Sequence, residues 1–199
     1  MNNFDNFFPS PIYKIEKLEW IKSVYDNSLE YLNKAKQLKK DIIKPGLVFH
    51  SENLILKENL KFFHSYIEEQ SKKILDHQGF DMSKYNCKLK NSWIQQFSKY
   101  NGYHETHVHQ NCHISGFFFI HASEHTSYPI FQDPRPGALM TKLEYKDEKI
   151  ITHATDLVKV KTKPGDFLFF NSYLPHHFAI DLALEPYTFI HFNVEAVCL

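Results

Sequence analysis

The chain reads as mainly β, a two-sheet antiparallel jelly roll with N-terminal helices packed against its outside. Near residue 88 the spacing of apolar residues changes from three-or-four to two. About eight short strand-like runs follow, separated by turn residues. One of them, "GFFFI", is apolar at nearly every position, as in a strand covered on both faces.

From Glu16 to Lys40, apolar residues fall at Leu18, Ile21, Tyr25, Leu29, Leu32, Ala35 and Leu38, which makes one buried helical stripe. "KPG" at 44 to 46 interrupts it. A second helix is expected from about Leu56 to His77, with Leu60, Phe63, Ile67 and Ile74 on one face and Gly79 just past its end. In "KLKNSWIQQFSKY" the alternation puts Leu89, Trp93 and Phe97 on one side, and Lys88, Lys90 and Ser98 on the other. The later strands are expected at "HISGFFFIHA", "YPIFQD", "ALMTKLEY", "KIITH", "LVKVKT", "DFLFFNS" and "PYTFIHFNVEAV". "DPRPG", "YKDEK" and "KPGD" turn the chain between them. The 199 residues suit a single domain: residues 1–85 a helical region on the barrel, residues 86–199 the β core.

Composition narrows the function. With 43% hydrophobic and 16% aromatic residues the chain can bury a sizeable core. Lys+Arg and Asp+Glu balance at 23 each, so no basic footprint points to nucleic acid. No apolar run reaches the ~20 residues of a membrane span. "MNNFDNFFPSPIY" lacks the pattern of a signal peptide. Three unpatterned cysteines (Cys87, Cys112 and Cys198) suit a reducing compartment, so a cytoplasmic protein is expected. Arg135 is the single arginine.

Ten of the 13 histidines lie between His104 and His191, and "HETHVHQNCH" alone holds four. Strand residues two apart point the same way, so His107 and His109 can grip one metal ion. His113 keeps that parity but lies ~13 Å further on along a straight strand. The best distant donor is "GDFLFFNSYLPHHF", where His176 and His177 follow an apolar strand. The metal site is read as His107, His109 and His176. Imidazole suits Fe, Zn, Cu or Ni, so ligand type selects no metal. His50, His64, His77, His125 and His153 read as ordinary hydrogen-bonded histidines.

The order of motifs resembles a known family. "SW" (Ser92-Trp93) precedes HxH (His107, His109), then "SG" with an aromatic strand (Ser115 to Phe119). "DPR" (Asp133 to Arg135), "PGD" with an aromatic strand (Pro164 to Phe170), S-x-L-x-H (Ser172 to His176) and "FN" (Phe192-Asn193) follow. From about Ser92 to Asn193 this is similar to the 2-oxoglutarate/Fe(II)-dependent oxygenases of the 2OG-FeII_Oxy_5 type, and "FFPSPIY" is similar to their N-termini. The resemblance implies a cupin-like double-stranded β-helix that binds Fe(II) and 2-oxoglutarate and acts as a hydroxylase or dioxygenase. It places His107 and His109 at the HxD/HxH pair and His176 at the distal ligand. Glu105 is the alternative carboxylate.

The chain departs from that family at one point. The usual Arg-x-Ser anchor for 2-oxoglutarate falls at Tyr187 and Phe189, and neither offers the guanidinium fork. Arg135, Tyr187 and Asn193 are the candidate co-substrate contacts. A surface pair with Asp133 is the simpler reading of Arg135. Trp93, Gln95, Phe119 and His191 are the candidate pocket residues. Phe117, Phe119, Phe167, Phe169 and Trp93 could form an aromatic cage, with plain core the simpler reading for each. A three-histidine metalloprotein without 2-oxoglutarate, a dioxygenase or a metal sensor, is the alternative function. The substrate, small-molecule or peptidyl, and the oligomeric state are not encoded in any motif.

Overall fold

The computed structural model describes residues 8–42, 47–98, 102–140 and 143–199. Its elements are β1 (Ile12–Glu16), α1 (Ile21–Leu38), β2 (Val48–His50), α2 (Lys61–His77), β3 (Tyr85–Phe97), β4 (Gly102–His107) and β5 (Ile114–His121). Then come β6 (Pro129–Gln132), α3 (Pro136–Met140), β7 (Leu157–Lys159), β8 (Asp166–Asn171), β9 (His176–Asp181) and β10 (Thr188–Cys198). All strand pairings are antiparallel. The larger sheet has the order β1-β8-β5-β10-β3-β2 and the smaller β4-β9-β6-β7.

Alternation along the central strands builds two cores. Phe117 and Phe119 of β5, Leu168 and Phe170 of β8, and Phe189 of β10 point between the sheets and meet Phe131 and Phe178 from the smaller one. Phe118, Phe167, Phe169 and Phe192 point the other way and pack beneath α1 and α2 with Val24, Leu32, Phe63 and Ile67. The continuous apolar runs are therefore strands with two covered faces. Trp20, just before α1, pins the helical layer through edge contacts with Phe62, Tyr66 and Phe167. α2 ends in a glycine cap. Gly79, at φ 95, donates to the Asp76 carbonyl and Phe80 to that of Leu75, a Schellman arrangement.

Some expectations change. The "ALMTKLEY" run is the short helix α3 at its start, 141–142 lie outside the described residues, and 143–145 form no strand. "KIITH" is a turn with Ile150 and Ile151 exposed. Neither run joins a sheet among the described residues. β1, β2 and β9 were not foreseen, and β1 and β2 bring the N-terminal region into the larger sheet. The "KPG" at 44–46 and most of "MNNFDNFFPSPIY" fall outside the described residues. No helix among the described residues is long and apolar enough to cross a membrane.

Candidate metal centre

His107 ends β4 and His176 begins β9, and the two are cross-strand partners in the smaller sheet. Their ring centroids are 4.5 Å apart. His109 lies beyond the end of β4, so strand parity does not place it. Its backbone N–H donates to the Ser172 carbonyl at 3.0 Å, and Ser172 N–H donates to that of His113, also at 3.0 Å. These bonds tie the loop after β4 to the turn before β9. The result brings one donor atom from each of His107, His109 and His176 within 4.8 Å of the others.

Hydrogen bonding sets the tautomers. His107 Nδ1 is 2.7 Å from the Glu105 carbonyl oxygen, and His176 Nδ1 is 3.0 Å from that of Leu174. A carbonyl only accepts, so both Nδ1 atoms carry the proton and both Nε2 atoms present a lone pair. Bonds of this kind fix the ring of a metal-binding imidazole. Burial first, and neighbouring imidazoles with it, push the His176 pKa down to about 3 and that of His109 down to about 4. Neutral rings with convergent lone pairs are what an ion needs.

His191, on β10 of the larger sheet, is a fourth imidazole in the cluster. It is 3% exposed, and its Nε2 is 2.9 Å from His109 Nε2. Its Nδ1 has no hydrogen-bond partner among the described residues. The cavity beside these rings, about 40 Å³, is also lined by Trp93 and Gln95. Phe119 is not in it. It stacks on Tyr187 within the core between the sheets. Phe117 and Phe178 supply the apolar wall instead, while Phe167 and Phe169 face the helices rather than the site. His50 and His104 complete the lining, and sequence reasoning missed both. Gln95 lies 3.4 Å from His104 Nε2 and accepts from Trp93 Nε1 at 3.0 Å, so its amide is held between the two rings.

None of the three candidate co-substrate residues reaches this cavity. Both nitrogens that Arg135 offers to Asp133 are engaged, at 2.9 and 2.6 Å, in an exposed loop. Tyr187 is fully buried, and its hydroxyl lies toward Thr162 rather than toward the cavity. Asn193 accepts from Ser115 Oγ at 2.6 Å and donates to Asn91 at 2.7 Å, so its amide belongs to a structural network. His113 accepts the Ala196 N–H, His177 turns its Nδ1 to Thr106, and the exposed Glu105 side chain is outside the cluster.

A jelly roll holding a histidine cluster between its sheets defines a cupin-type fold equipped for a transition metal. A family model described as "Putative 2OG-Fe(II) oxygenase" matches residues 91–185, from within β3 to the loop before β10. Among solved structures, AviO1 from Streptomyces viridochromogenes Tue57 is similar at 13% identity and TM-score 0.64, over 94% of this chain and 90% of that one. A Pseudomonas putida prolyl-4-hydroxylase is similar at 6% identity and TM-score 0.56, over 92% of each chain. A 2OG-Fe(II) oxygenase family oxidoreductase from Burkholderia pseudomallei shares 8% identity over 82% and 77%, with TM-score 0.51. Likeness at these identities concerns the fold. No curated protein sequence matches the chain.

The family implies Fe(II) and 2-oxoglutarate. The convergent Nε2 lone pairs fit the ion. The barrel interior does not fit 2-oxoglutarate as packed. It is filled by Phe97, Phe119, Phe178, Tyr187 and Phe189, and the cavity of about 40 Å³ has room for about one water.

Proposed function

We propose that this Fe(II)-dependent oxygenase holds its ion on His107, His109 and His176 and receives its other reactants from the β2–β4 side. The observation that carries the reading is the convergence of three imidazoles inside the family-matched stretch. An open groove of about 760 Å³ adjoins them, and it shares His50, His104 and His107 with the small cavity. Lys39, Tyr103 and Glu105 also line it. Lys39 donates to the Val48 carbonyl at 2.9 Å, which holds its ammonium beside the groove. It is the cation we assign to the carboxylate of 2-oxoglutarate or of an acidic substrate, in place of Arg135 or Tyr187.

When bound, the iron would supply redox chemistry and exchangeable coordination positions. The protein's own part is positioning and exclusion of water. The Glu105 and Leu174 carbonyls orient two imidazoles, Phe117 and Phe178 keep one side dry, and the Trp93–Gln95 hydrogen bond braces His104. The groove is polar and of mixed charge, which favours a polar small molecule or a peptidyl side chain over nucleic acid. Three free cysteines and a ferrous ion both suit a reducing compartment, so we place the protein in the cytoplasm.

A second reading follows from the packed barrel: the substrate binds the ion directly and 2-oxoglutarate is not used. One titration separates the two. Anaerobic Fe(II) protein is titrated with 2-oxoglutarate while the visible metal-to-ligand charge-transfer band is followed. A saturable band that weakens in Lys39→Gln supports the first reading. A ferrous protein that never develops the band supports the second.

A further inference from the structure

We propose that His191 of β10 is a fourth imidazole donor to the ion held by His107, His109 and His176. The inference rests on the metal reading above and extends it. His109 Nε2 faces two ring nitrogens at once, His176 Nε2 at 3.3 Å and His191 Nε2 at 2.9 Å. The His176 nitrogen is a lone pair, because its Nδ1 proton goes to the Leu174 carbonyl. If His109 Nε2 carries a proton, that one proton must be shared between His176 and His191. If it carries a lone pair, it can accept from His191 but then meets His176 lone pair to lone pair. No choice of tautomers makes both contacts good hydrogen bonds.

A cation removes the conflict, because every one of these nitrogens can then turn a lone pair to it. The two separations at His109 Nε2 agree with that arrangement, and the ring of His191 borders the group formed by the other three. Nitrogens about 2.1 Å from one ion lie about 3.0 Å apart at right angles and about 3.4 Å apart at the tetrahedral angle. The surroundings of His191 agree as well. Register pairs it with Trp93 on one side and Phe117 on the other, and the Trp93 ring lies 4.7 Å away. Between those aromatic neighbours its Nδ1 finds no partner, so the short contact to His109 is the one polar contact the ring makes among the described residues. A polar ring buried this way is costly unless it is used.

Four imidazoles leave two exchangeable positions on a six-coordinate ion, where three would leave three. They also bring β10 of the larger sheet to an ion otherwise held by β4, β9 and the loop between β4 and β5.

The test uses the full chain loaded anaerobically with Fe(II), and separately with Zn(II). Imidazoles are counted by X-ray absorption, and affinity is measured by competition with a chelator. The unmodified protein should show four imidazoles. His191→Gln and His191→Phe should each show three and bind metal at least about tenfold more weakly. A count of three in the unmodified protein, which needs no variant to fold, overturns the proposal and leaves the three-histidine site standing. Unchanged affinity in both variants overturns it too. A protein that binds no metal at all overturns the metal reading, and this inference with it.

Discussion

His104 and His107 line one cavity although they are three positions apart in the chain. Pure alternation would put them on opposite faces, but the pairing of β4 with β9 shifts register between the two, and the bulge re-aims His104. Residue type and the HxH and distal-His spacing were enough to select His107, His109 and His176. They could not reveal His104, because a bulge has no signature in apolar periodicity, and His50 arrives on a three-residue strand with no pattern of its own. The co-substrate residues failed for another reason. Arginine is the usual carboxylate anchor, but Asp133 two residues before Arg135 captures its guanidinium within the same loop. Adjacent histidines offer a sharp check on the site. His176 has an Nε2 lone pair turned to the cluster, whereas His177 points its ring to Thr106 on the other face. His176→Ala should therefore lose stoichiometric Fe(II), and His177→Ala should keep it, as measured by metal analysis after gel filtration. Equal retention in both would remove His176 from the ligand set.

At the scale of elements, the long helices were legible because each carries a strong three-or-four stripe. β3 was read as one continuous alternation, and there the pattern misled. Asn193 pairs with Asn91 but Val194 with Leu89, so Lys90 is bulged out and the faces exchange. Leu89 consequently packs on the helical side while Trp93 faces the site. β5 depends on a glycine for close approach. A Cβ at Gly116 would lie 2.3 Å from the Leu168 carbonyl oxygen and 2.3 Å from the end of the Phe192 ring. The ring can swing, but the backbone of a central strand cannot. Gly116→Ala should cost about 3 kcal/mol in urea unfolding, and a loss below ~0.5 kcal/mol would show that the sheet gives way. α2 carries a different liability. His64 is buried, its Nε2 has no hydrogen-bond partner, and burial pushes its pKa down to about 4. Between that value and the ordinary one near 6.5, the unfolded chain takes up a proton that the folded chain refuses. Its contribution is thus full above about pH 6.5 and is lost as pH falls towards 4, by roughly 2–3 kcal/mol. His64→Leu should make the acid limb of the stability profile shallower by that amount, and an unchanged limb would place the acid sensitivity elsewhere.

On the scale of the molecule there are three layers, the helices, the doubly covered larger sheet and the smaller sheet that closes over the site, and the strands of the two sheets interleave along the chain. The layers were legible because burial leaves a composition signature: Phe117 to Phe119 and Phe167 to Phe170 are too apolar for a sheet with one wet face. The partner of β1 was not legible, since Ile12 to Glu16 pair with β8 some 150 residues later and the local sequence says nothing about that distance. Long-range closure of this kind is also what a metal would reinforce. His107 and His176 belong to the smaller sheet, while His191 extends the cluster into the larger one. An ion binding only the folded arrangement stabilises it by about 2.7 kcal/mol at one hundred times its dissociation constant. For a chain of this length that corresponds to a melting temperature higher by about 5–10 °C. Fe(II) or Mn(II), added anaerobically, should produce this rise in the unmodified protein and not in His107→Ala. A further rise with 2-oxoglutarate should appear only after metal is present, because the co-substrate's chelating end needs the ion. An upward shift with 2-oxoglutarate alone would place its binding away from the histidines, and no shift with metal would mean that the imidazoles meet without holding one.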